Sequence, residues 1–76
     1  MKELVKYIVQ SLVDNPEQVT VEEIEGSQTS ILELKVVKED MGKVIGKKGR
    51  TAHAIRAILS AASGKAKKRT VLEIIE

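Results

Sequence analysis

Val44-Ile45-Gly46-Lys47-Lys48-Gly49-Arg50 lies between two segments of helical periodicity, and its two glycines decide how the rest of the chain is read. Glycine at position 46 lets the backbone leave the first helix with positive φ. Glycine at position 49 removes the Cβ that would hold a ligand's backbone away. The result is a bare turn whose amide N–H groups open the helix starting near Arg50, so that unpaired donors and the positive end of the helix dipole face one point. Lys47 and Lys48 add two cations there. Such a turn suits a phosphate oxygen, and Val44 and Ile45 before it, with Ile55 after it, supply an apolar wall for bases.

Outward from the turn, Asp40 stands where an N-cap belongs for a short helix running to about Ile45. After the turn, Ile55, Ile58, Leu59 and Ala62 form a helical stripe over residues 50–63, with Gly64 at the C-cap and a basic loop over residues 65–69. Ala54, Ala57 and Ala61 give this helix a small-residue face, read as core lining or as a dimer contact. Residues 2–14 carry another stripe (Leu4, Val5, Ile8, Val9, Leu12, Val13) that Asn15-Pro16 should stop. Residues 18–25 and 30–38 alternate as strands around the turn Gly26-Ser27-Gln28, and residues 70–75 close the chain as a β-branched strand. The order is helix, strand, strand, helix, helix, strand. It predicts one α+β domain over residues 1–76: two layers, αββααβ, with a three-stranded sheet covered by three helices.

The charge is divided along the chain. Residues 1–40 carry four bases and nine acids, whereas residues 41–76 carry nine bases and two acids, and no acid stands between Met41 and Leu72. That is a footprint for a polyanion, although a solvated basic face reads the same way. Cysteine is absent, which removes disulfides, thiolate nucleophiles and zinc ribbons. No apolar run approaches the length of a membrane span, and charges at Lys2, Glu3 and Lys6 break any signal-peptide pattern, so the expected location is cytoplasmic and no membrane is involved.

With the order αββααβ around it, the string Met41-Gly42-Lys43-Val44-Ile45-Gly46-Lys47-Lys48-Gly49-Arg50 resembles the signature of KH domains of the type II, prokaryotic arrangement. Over its whole length the chain is similar to the bacterial KhpA family of single-KH proteins. The resemblance implies a single-stranded RNA-binding protein whose GXXG loop clamps about four nucleotides. It implies no enzymatic activity and no cofactor, and a role in post-transcriptional regulation or as an RNA chaperone. The clamp carries over as Gly46, Lys47, Lys48 and Gly49, the groove residues as Val44, Ile45 and Ile55, with Lys43 and Arg50 flanking. Ala52 stands where many KH domains have isoleucine, which implies a shallower groove and weaker base selectivity. The family also implies pairing, either as a homodimer or as a heterodimer with a larger KH-containing protein.

Other classes fit less well. A P-loop needs four residues between its glycines, and Gly42 stands one residue too close to Gly46, with Lys48 where the magnesium-binding hydroxyl belongs. A helix-turn-helix DNA binder accounts for residues 40–63 but not for the flanking strands. Base-stacking sheets require aromatics, and Tyr7, on a helix, is the one aromatic residue. His53 has no nucleophile or metal partner at a useful spacing, while Glu22, Glu23 and Glu25 read as a solubilising strand edge. Lys65, Lys67, Lys68 and Arg69 either extend the anion path or solvate a loop. A protein-pairing module remains the alternative from a different class.

Overall fold

The computed structural model describes residues 1–66 and 69–75. Helix α1 (Lys2–Leu12) leads through a single 3-10 turn (Pro16–Gln18) into strands β1 (Thr20–Glu25) and β2 (Thr29–Lys35). Helix α2 (Lys38–Ile45), a 3-10 turn (Lys47–Gly49), helix α3 (Arg50–Ala66) and strand β3 (Arg69–Ile75) complete the chain. The expected αββααβ order is the observed one.

The strands lie in the order β1-β2-β3. The first pair is antiparallel, closed by a hairpin in which the Gly26 N–H donates to the Thr29 carbonyl at 2.8 Å. The second pair is parallel, and the α2–α3 unit makes the crossover that a parallel pair requires. Alternation along β2 turns Ser30, Leu32 and Leu34 toward the helices, and Val36 just beyond the strand is also buried. Val5 and Val9 of α1, Val44 of α2, and Ile55 and Leu59 of α3 meet them, together with Leu72 of β3. Fully burying a side chain such as Leu32, Leu34 or Leu59 contributes about 1.5–3 kcal/mol, and this one layer of contacts holds the two-layer domain together. On the opposite face, strand register aligns Glu22, Glu33 and Glu73 in one row, with Ile24, Ile31 and Val71 in another.

Several local expectations change. Helix α3 extends through Gly64 to Ala66, so Gly64 is not its C-cap and Lys65 belongs to the helix. Arg69 opens β3, while Lys67 and Lys68 lie outside the described residues. The buried side of α3 is Ala52, Ile55, Leu59 and Ser63, spaced to fall on one stripe. Ile58 falls off that stripe and is 47% exposed. Ala54, Ala57 and Ala61 are exposed too, which corrects their reading as core lining.

Candidate nucleic-acid interface

Helix α2 ends at Ile45, and its last turn closes when the Gly46 N–H donates to the Gly42 carbonyl at 2.8 Å. Gly46 then adopts φ 76°, ψ 170°, a region open essentially to glycine alone. Space imposes the same choice: a Cβ on Gly46 would stand 2.7 Å from Thr51 Cβ and 2.8 Å from the Thr51 nitrogen. Lys48 (φ 58°, ψ 25°) and Gly49 (φ 73°) continue with positive φ, so the chain reverses within four residues and starts α3. Nothing lies within 4 Å of a Cβ built on Gly49, so that side of the turn is open.

The amides are not all free, as the sequence had suggested. The Gly49 N–H donates to the Gly46 carbonyl at 3.1 Å and the Arg50 N–H to the Lys47 carbonyl, because the turn is a 3-10 turn that uses its own donors. Among the described residues, the Lys47 and Lys48 N–H groups have no acceptor. These same two residues project exposed ammonium-bearing side chains, and Arg50 is exposed beside them.

The apolar wall is narrower than the sequence implied. Val44 is fully buried and Ile55 is 2% exposed, so both are core residues with no surface to offer a base, and Ile45, 40% exposed, is the apolar group beside the turn. Ala52 is likewise buried beneath the start of α3. Lys43 turns away from the loop and pairs with Asp14 at 2.5 Å, and that hydrogen bond and charge raise its pKa above the ordinary lysine value. His53 is exposed on α3, one turn beyond the loop.

Asp40 does not cap its own helix. Val37 holds the N-cap position, and Asp40, inside the first turn and 1% exposed, reaches back to the end of α1. The Asp14 N–H donates to its Oδ1 at 3.2 Å, and the Asn15 N–H and Nδ2 donate to its Oδ2 at 3.0 and 3.1 Å. Burial pushes this carboxyl upward, but the Asn15 and Asp14 donors and the charge of Lys43 outweigh it, holding the pKa below the usual carboxylate range. The carboxylate therefore anchors α1 to α2 and fixes the helix that delivers the turn.

One feature escaped the sequence. A cleft of about 540 Å³ opens between the far half of α3 and β3, lined among others by Arg56, Ser60, Ser63, Arg69, Thr70 and Leu72. Arg56 reaches across it to the Leu72 carbonyl at a long 3.4 Å. No group of three or more His, Cys, Asp or Glu side chains is placed to hold a metal among the described residues, and no helix there is long and apolar enough to cross a membrane.

An αββααβ domain with a mixed three-stranded sheet, whose middle helices join through a Gly-Lys-Lys-Gly turn, is a KH domain of the type II arrangement. The family model described as the KH domain of KhpA/KhpB matches residues 2–74, and the chain belongs to that family, which is not an enzyme family. It is 61% identical over 75 residues to the RNA-binding protein KhpA of Caldanaerobacter subterraneus subsp. tengcongensis, covering 99% of this chain and all of that protein. Identity is 59% with the RNA-binding protein KhpA of Clostridium acetobutylicum, at the same coverage. With that of Aquifex aeolicus it is 50% over 76 residues, covering all of this chain and 96% of the relative. No solved structure gives a significant match.

Proposed function

We propose that the protein binds single-stranded RNA in the cytoplasm and acts after transcription, as a regulator or RNA chaperone, with the turn at residues 46–49 gripping the sugar-phosphate chain. The observation that carries this reading is the coincidence, at Lys47 and Lys48, of amides without an internal acceptor and exposed cationic side chains on an open turn. A phosphate oxygen satisfies both at once. Arg50 adds charge, and Ile45 offers the neighbouring apolar contact. The relatives' names support RNA as the polyanion.

Substituting Lys47→Asp and Lys48→Asp together tests it. Both side chains face solvent, so the fold should persist while affinity for single-stranded RNA falls by about a hundredfold or more. Binding by the unmodified protein should weaken with salt, with log K falling by about 0.7 per neutralised phosphate for each unit of log salt. A folded double variant with undiminished affinity would reject the clamp.

A second reading, pairing with a second copy or with a larger KH-containing protein, has one observation behind it: the exposed face of α3 formed by Ala54, Ala57, Ile58 and Ala61. Sedimentation with and without RNA separates the two. A module made only for pairing associates with protein and leaves RNA unshifted.

A further inference from the structure

The helices pack on one side of the sheet, and the other side is covered by no element among the described residues. Register sets Glu22, Glu33 and Glu73 side by side in a row across all three strands of that open face. Like charges directly opposite one another on a sheet repel, and among the described residues none of the three forms an ion pair. Lys35 stands in the next row, between Thr20 and Ile75, and does not pair with them. A groove of about 180 Å³ lies on that side of the acids, lined by Thr20, Glu22, Glu33, Lys35 and Ile75. On their other side is a row of branched apolar residues, Ile24, Ile31 and Val71, of which Ile24 is 52% exposed. Carboxylates beside apolar surface complement a partner whose cations stand beside an apolar stripe, and they repel a nucleic acid.

We propose that the open sheet face docks a basic amphipathic helix of another protein, laid across the strands with its cations on the glutamate row and its apolar stripe on Ile24, Ile31 and Val71. Spacing selects a helix. Neighbouring strands lie about 4.8 Å apart, so the three acids span about 9.6 Å. Cations at i, i+4 and i+7 of a helix share one side and span about 10.5 Å. An extended chain returns to one side about every 6.7 Å, which puts its third cation about 13 Å along and out of step with the row. The apolar row lies about 6.7 Å from the acidic one along the strands, so a helix about 10 Å across covers both. A second copy of this chain fits less well, because α1 brings Lys2 and Lys6 with Glu3 between them, and the exposed stripe of α3 has Ala54, Ala57 and Ala61 where cations would be needed. The turn at residues 46–49 joins two helices of the opposite layer, so a helix on this face leaves it open to RNA.

The test is anisotropy titration of the full chain against three labelled peptides of about 15 residues: a helix with lysines at i, i+4 and i+7 beside a leucine stripe, its scramble, and an alternating lysine-valine strand. The helical peptide should bind at least about tenfold more tightly than either control. Glu33→Gln and Ile24→Thr should each weaken it by about fivefold or more, while affinity for oligouridine stays unchanged and oligouridine does not displace the peptide. Glu33→Gln should also raise the thermal midpoint of the free protein by roughly 2–5 °C, because it removes two like-charge contacts. Equal binding of the scramble, or a loss with Glu33→Gln and none with Ile24→Thr, means a diffuse attraction and overturns the docking site. Tighter binding of the alternating peptide overturns the helix, and displacement by oligouridine overturns the separation from the RNA site. A midpoint that does not rise means the charge of the row is already balanced within the fold, and this also overturns the proposal. Self-association of the free protein at the same concentrations, abolished by Ile24→Thr, would give the face to a second copy and overturn it as well.

Discussion

Two clusters of backbone amides stand at helix ends on either side of α2, and the chain treats them in opposite ways. At the end of α1, the Asp14 and Asn15 N–H groups meet the buried carboxylate of Asp40, so the protein supplies its own anion. At the end of α2, the Lys47 and Lys48 N–H groups meet nothing internal, and their side chains bring positive charge to an exposed surface. Past the last residue of a helix the chain leaves the i→i−4 ladder, and each N–H there needs an acceptor of another kind. The difference teaches that a cluster filled from within serves as an anchor, and one left open beside cations serves as a receptor for an anion from outside. The same short helix carries both, with Asp40 in its first turn and the glycine turn after its last residue.

The largest way to break this division is to fill the open turn. Gly46→Ala must place a side chain in a backbone region reserved for glycine and against Thr51, so a loss of roughly 3 kcal/mol is expected from the strain and the clash together. For a domain this small, that lowers the thermal midpoint by more than about 10 °C. RNA affinity should fall with it, because the turn cannot keep its path. A melting curve like the wild type's would mean the turn has a second conformation that tolerates a Cβ.

Emptying the filled cluster ranks next. Asp40→Ala leaves three donors at the end of α1 without their acceptor, and the midpoint should drop by roughly 5–10 °C, as followed by circular dichroism. The pH dependence has a definite sign. The folded-state pKa of Asp40 lies below its ordinary value of 3.8, so its contribution is present above that value and is lost as pH falls through the lower folded one. Asp40→Asn should therefore flatten the acid limb of the midpoint against pH. Neither variant should change RNA affinity at a temperature where both are folded, and a change would show that the two amide clusters are not independent.

Much of this was legible in the sequence because it is local. The order of elements, the Pro16 stop, the hairpin at Gly26 and the glycine turn all follow from residues within a few positions of one another. Asp40 looked like a cap because an acid at a helix start usually is one, yet its partners lie 25 and 26 residues back, where no periodicity reaches. Ile58 and Ile55 are equally apolar and stand within one turn of α3, and only the angle at which that helix meets the sheet decides that one is exposed and the other buried. The cleft escaped for the same reason, since it is made by two elements that come together only in the fold.

The smallest effect sharpens the comparison most. Gly42 and Gly49 both have nothing within 4 Å of an added Cβ, so packing treats them alike and backbone conformation alone separates them. Gly42 sits inside α2, where alanine is preferred, and Gly42→Ala should stabilise by about 0.5–1 kcal/mol. Gly49 has φ 73°, and Gly49→Ala should destabilise by about 1–2 kcal/mol. Denaturant titration of the two variants reads those opposite signs. Binding then adds a second axis, because the Cβ of Gly49→Ala projects into the open side of the turn, where a sugar-phosphate chain would lie. If the turn is a receptor, Gly49→Ala weakens RNA binding even under conditions where it is fully folded, and Gly42→Ala does not. If both bind alike once folded, the open side of the turn is not where the strand runs, and the free amides of Lys47 and Lys48 have to be given to some other anion.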